Sequence, residues 1–138
     1  MKTLLHSVTI LSFLVFICSC KKTPSSKINS DIIVSLSKNG DNVILKAKTV
    51  AIYGVPQQID FSKKRVGKHF TIVFKKIIKP GAVIQVLSPA QCNIDLGELK
   101  LQNYSFTFKL NNEVNKAKLS IINDALDLTF TKSINVSN

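Results

Sequence analysis

The feature that most limits what this chain can fold into is a period of two. In "YSFTFKL" the residues Tyr104, Phe106, Phe108 and Leu110 alternate with Ser105, Thr107 and Lys109. Successive side chains of a strand point to opposite faces, so this segment has one apolar and one polar side. A chain that repeats the pattern has to bury one face of a sheet.

The pattern does repeat. Ile32, Val34 and Leu36 align in "DIIVSLS", and Val43, Leu45 and Ala47 align in "NVILKAK" against Lys46 and Lys48. Phe70, Ile72 and Phe74 share a face of "HFTIVFKK", and Cys92, Ile94 and Leu96 share one in "QCNIDLG" against Asn93 and Asp95. "KAKLSII" and "ALDLTF" follow, joined at Asn123-Asp124, while Asn39-Gly40 marks a tight hairpin turn and Pro80-Gly81 a turn into a further strand, "AVIQVL". Pro56 interrupts "AIYGVPQQIDF". No window after the leader carries an apolar stripe of helical period. The expected fold is all-β: a small antiparallel β-sandwich of seven to nine short strands over residues 31–138, with an up-and-down barrel as the alternative.

"LGELKLQNYSFTFKL" resembles the approach to strand F of immunoglobulin-like and fibronectin-type domains. That resemblance implies a tyrosine-corner role for Tyr104, its hydroxyl bonding back to upstream backbone. The chain has no tryptophan and no cysteine pair to bridge two sheets, so an antibody-type domain is excluded and the looser sandwich class remains.

The N-terminus has a different character. Lys2 precedes an apolar run, Val8 to Ile17, broken only by Thr9 and Ser12. Crossing a bilayer takes about 20 apolar residues, so the run reads as an export signal rather than a span. "ICSC" then resembles the lipobox of bacterial lipoproteins, in which cleavage falls just before a cysteine that takes the lipid. The resemblance implies that Cys20 is the lipidated new N-terminus, Ser19 the small residue at the cut and Ile17 the aliphatic one. It departs from the family at Cys18, where a small residue is usual. The organisation expected is a leader over 1–19, a lipidated cysteine with a flexible tether over 20–30, and one domain over 31–138. About ten flexible residues span roughly 17 Å.

Removing the leader costs one basic residue, Lys2, and lowers the formal charge from +11 to +10. Such a surplus favours anionic partners. With Cys18 removed and Cys20 lipidated, as the lipobox resemblance implies, Cys92 is left as the one free thiol and an intramolecular disulfide is not possible.

Titratable residues suited to catalysis are few. After the leader there is one histidine, His69, and one arginine, Arg65. A Ser-His-acid arrangement would have to draw on His69 with Asp60 or Asp95, and a thiol dyad on Cys92 with His69. On its strand His69 opposes the face of Phe70 and Ile72, and Cys92 falls beside Ile94 and Leu96 as a small hydrophobe. Neither a zinc-ligand spacing nor an oxygen cluster for calcium is present, and no cofactor is expected.

The one constellation that stands out is basic. From Phe61 to Lys79 the chain carries Lys63, Lys64, Arg65, Lys68, Lys75, Lys76 and Lys79 and no acid. "SKKRVGKH" resembles a heparin-type polyanion-binding pattern, and two strands joined around Gly67 would gather this charge at one end of the fold. Lysines that keep a strand edge from pairing with other chains give the same pattern. The expectation is a non-enzymatic, lipid-anchored accessory module of the bacterial cell envelope, on the periplasmic face of an outer membrane. Its expected partners are the membrane, an envelope protein or an anionic polymer, and not nucleic acid. Binding of anionic lipid, lipopolysaccharide or acidic glycan through Lys63, Lys64, Arg65, Lys68, Lys75 and Lys76 is the alternative function.

Overall fold

Four two-residue hairpins organise the described residues, and each opens on a residue suited to positive φ. The computed structural model describes residues 23–81, 85–100 and 102–138. Its strands are β1 (Ser25–Ser26), β2 (Ile32–Asn39), β3 (Asn42–Tyr53), β4 (Gln58–Val66), β5 (His69–Ile78), β6 (Ser88–Glu98), β7 (Asn103–Leu110), β8 (Glu113–Ile122), β9 (Ala125–Lys132) and β10 (Val136–Ser137). The loops open on Gly40 (φ 60°), Gly67 (57°), Asn111 (55°) and Asn123 (47°), followed by Asp124 at 66°. Primed turns of this kind match the twist of paired strands. The first closes between Asn39 and Asn42, so its central pair is Gly40-Asp41, one residue later than expected.

All described secondary structure is strand, as the alternation requires. The expected sandwich of two separate sheets is not what the strands form. They make one sheet in the order β10-β2-β3-β6-β4-β5-β7-β8-β9, with β1 beside β5, curled into a nearly closed barrel in which β2 and β9 approach each other. Nor is the order up-and-down. β6 stands between β3 and β4, and β10–β2, β4–β6 and β5–β7 pair in parallel. Of these, β4 and β6 meet at one position only, Gln58↔Gln91, backed by a bond from the Gln91 N–H to the Gln57 carbonyl at 3.2 Å. Beyond it the two strands part, leaving a seam.

The inward faces form the core. Ile32, Val34, Leu45, Phe70, Ile72, Ile94, Leu96, Phe106, Phe108, Leu110 and Leu119 are buried. Through the middle run stacked rings: Phe70 and Phe106 at 5.0 Å between centroids, Phe106 and Phe108 at 5.6 Å, Phe108 and Phe130 at 5.7 Å. Such contacts contribute about 0.5–1.5 kcal/mol each beyond the area they bury.

Two expectations need correction. The strand expected after Pro80-Gly81 is not formed by Gln85, Val86 and Leu87, while residues 82–84 lie outside the described residues. β6 starts at Ser88, where backbone pairing with Tyr53 becomes available. The tether is also shorter than its polar composition suggested. Ser25 and Ser26 pair with Ile78 and Ile77, the Lys79 N–H donates to the Pro24 carbonyl at 3.1 Å, and Ile28 is wholly buried. The docking site exists because β7 stops at Phe74↔Leu110 and leaves the last turn of the β5 edge open.

Candidate anion-binding surface

Strand alternation divides the basic cluster that runs together in the sequence. On β4, Lys64 stands opposite Thr71 on the outer side, whereas Lys63 and Arg65 stand opposite Ile72 and Phe70, on the side of the core. Both inward residues remain exposed because β4 borders the open seam. The Lys63 ammonium donates to the Asp95 carbonyl on β6, crossing the gap that backbone pairing leaves. The Arg65 guanidinium lies 5.1 Å from the Phe70 ring centroid and 5.6 Å from that of Tyr104, and its Nε–H donates to the Gly67 carbonyl at 3.1 Å. Arg65 thus covers the end of the aromatic core, where a cation over a ring face is favourable.

Lys68 occupies the β4–β5 turn. Lys76 sits opposite Asp60, and Lys75 is the extra residue at the irregularity between Asp60 and Phe61. From Thr71 to Lys75 is four residues, about 13 Å along the strand. The six expected residues therefore fall into three groups rather than one site. Those on β4 line an unpaired edge, where lysines hinder pairing with other chains. Cys18 and Cys20 lie outside the described residues.

What the sheet brings together instead could not be read from neighbouring residues. The backbone register Lys64↔Thr71↔Thr107↔Lys116↔Lys132 runs across five strands on the outer side, and beside it runs Val66↔His69↔Ser105↔Lys118↔Thr129. Lys109 stands outward opposite Val73. Alternation alone marks Lys109, Lys116 and Lys118 as outward, but which strands adjoin is set by the parallel β5–β7 pairing. At the centre, the His69 ring is fixed by Ser105 Oγ at 2.7 Å from Nδ1 and Thr107 Oγ1 at 3.1 Å from Nε2. A shallow depression next to it is lined by Lys68, Asn103, Ser105, Lys118 and Ser120.

Both ring nitrogens of His69 are engaged by hydroxyls, and among the described residues no carboxylate bonds to it. Cys92 stands opposite Ala47 on β3, half-buried on the core side of β6, so the structure does not bring it to His69. Burial pushes its thiol up to about 12. A hollow of about 450 Å³ opens at the seam, lined by Gln57, Phe61, Gln91 and Cys92 among others, and the buried Gln57 Oε1 has no hydrogen-bond partner among the described residues. Among those residues no three His, Cys, Asp or Glu side chains gather as a metal site would require.

No protein family, curated protein or solved structure matches this chain.

Proposed function

We propose that the protein is a lipid-anchored, non-enzymatic accessory module of the bacterial envelope, held by an acyl-modified Cys20 on the periplasmic face of an outer membrane. The observation that carries this reading is the docking of Ser25, Ser26 and Ile28 onto the barrel directly after the lipobox-like sequence. Lys21, Lys22 and Thr23 link Cys20 to Pro24, four steps with a reach of about 14 Å at full extension. An anchor there would hold the barrel, by the Ile78 end of β5, against the head groups. Exposed Lys27, Lys75, Lys76 and Lys79 flank that end and suit an anionic lipid surface.

Expression of the full chain in a bacterial host tests the anchor. Wild-type protein and Cys18→Ala should sediment with membranes and incorporate an alkyne-labelled fatty acid, and Cys20→Ala should do neither. Labelled, sedimenting Cys20→Ala protein overturns the reading.

The immunoglobulin-like kinship belongs to this proposal as well. What supports it is the near-separation of the sheet at Gln58↔Gln91 into two halves, with Tyr104 buried at the start of β7. The second function, binding of an anionic envelope polymer, draws its support from the outward lysines of β4, β7, β8 and β9 rather than from the cluster that is continuous in sequence.

A further inference from the structure

Lys116 and Lys132 are directly opposite one another on adjacent strands, and Lys118 is two residues along the same face. Like charges placed directly opposite destabilise a sheet. Lys64 extends the row three strands away, Lys109 lies two residues from Thr107, and Lys68 closes it at the turn. Two outward carboxylates stand on these five strands: Asp127 on β9, opposite Ser120, whose Oδ2 accepts from the Thr129 hydroxyl at 3.3 Å, and Asp60 near the far end of β4. The centre of the face, with His69, Ser105, Thr107 and Thr71, carries hydroxyl and imidazole groups and no negative charge. Among the described residues none of these lysines forms an ion pair.

We infer that the outer face of β4-β5-β7-β8-β9 is a binding site for a linear acidic polysaccharide, its anionic groups neutralising Lys64, Lys109, Lys116, Lys118 and Lys132 and its hydroxyls meeting Ser105, Thr107 and Ser120. Strands stand about 4.8 Å apart, so the row from Lys64 to Lys132 is about 19 Å long and crosses the strands. The same strands twist and curl into a barrel wall, so the face is convex. A flexible chain can follow a convex wall, whereas a flat bilayer meets it along a narrow strip. The choice of a polymer over a bilayer also rests on the anchoring proposed above. The docked N-terminal segment leaves at Ile78, and the lysine row crosses β5 at Thr71, seven residues or about 23 Å up the strand.

The test uses full-length protein in a neutral detergent, with a heparin-derived oligosaccharide of defined length as probe and mixed micelles of the same detergent with phosphatidylglycerol as the rival ligand. Two charge-matched pairs are compared, each on a central strand with outward lysines two residues apart: Lys116→Ser with Lys118→Ser on β8, and Lys46→Ser with Lys48→Ser on β3. The β8 pair should weaken oligosaccharide binding roughly tenfold at low salt and flatten its salt dependence. The β3 pair should stay within about twofold of wild type. A second outer-face pair, Lys109→Ser with Lys132→Ser, should repeat the β8 result, and thermal melts confirm that each variant is folded. Equal loss from the β8 and β3 pairs, no loss from either outer-face pair, or loss confined to binding of the phosphatidylglycerol micelles overturns the inference. Because the assay is run in detergent, its outcome is independent of whether Cys20→Ala protein leaves the membrane.

Discussion

The side-chain amide of Asn115 donates to Oδ1 of Asn135 at 2.8 Å, while the Asn115 oxygen accepts backbone N–H groups from Ile134, Asn135 and Val136 at 2.6, 3.1 and 3.2 Å. Asn115 is wholly buried on the inward side of β8. It holds the link after β9 so that Val136 can pair in parallel with Ile32 and close the barrel. Replacing it with Ala leaves the buried Val136 N–H and the part-buried N–H groups of Ile134 and Asn135 without their acceptor, and an unpaired buried donor costs about 1–3 kcal/mol. Asn115→Ala should therefore lose about 2–4 kcal/mol of unfolding free energy in urea. Trypsin should also cut the variant after Lys132 much faster than it cuts wild type, read by mass spectrometry.

Phe106 stacks on both Phe70 and Phe108. Phe106→Ala opens a cavity in the aromatic core and should cost about 3–5 kcal/mol, whereas Phe106→Leu should cost less than half as much. Equal losses in denaturant titrations would count against a stacked core.

Arg65 and its neighbour Lys64 separate a structural cation from a surface one. Arg65→Ala removes the contact over Phe70 and Tyr104 and should cost about 0.5–1 kcal/mol. Lys64→Ala should leave the melting temperature unchanged. Differential scanning calorimetry on the two variants reads the contrast.

Cys92 should behave as a protected thiol. With its ionisation pushed up to about 12, it stays neutral in the folded protein at pH 8 and should react slowly with a disulfide reagent until denaturant is added. An unfolded cysteine ionises at about 8.5, so the unfolded state loses its proton first and stability falls as pH rises from there towards the folded value. Cys92→Ala should flatten that decline.

Ile28 is wholly buried although its flanking sequence is polar. A chain started at Asp31 should be less stable than one started at Thr23 by about 2–4 kcal/mol, since it loses that burial and uncovers Ile77. Parallel thermal melts of the two forms provide the measurement.

Alternation along a single strand was enough to place Phe70, Ile72, Phe106 and Phe108 inward, and Lys46, Lys48 and Lys109 outward, because side-chain direction in a strand depends only on the local backbone. Turn residues such as Gly67 and Asn123 were legible for the same reason: positive φ is a property of one residue. The order of the strands was not legible. That β5 pairs in parallel with β7, that β6 separates β3 from β4, and that the sheet curls nearly closed instead of forming two layers depend on contacts between residues far apart in the chain. The basic site followed suit. Lys63, Lys64 and Arg65 are adjacent in sequence, yet alternation sends them to opposite sides, while Lys64, Lys116 and Lys132 are joined only by register. Ile28 escaped notice because a lone apolar residue in a polar stretch has no period to betray it, and only the edge of β5 left free by β7 gave it a place. The sequence by itself thus determined which side chains face in and which face out, since that is local geometry; the tertiary structure decided which outward charges become neighbours, since pairing free energy is shared across distant segments.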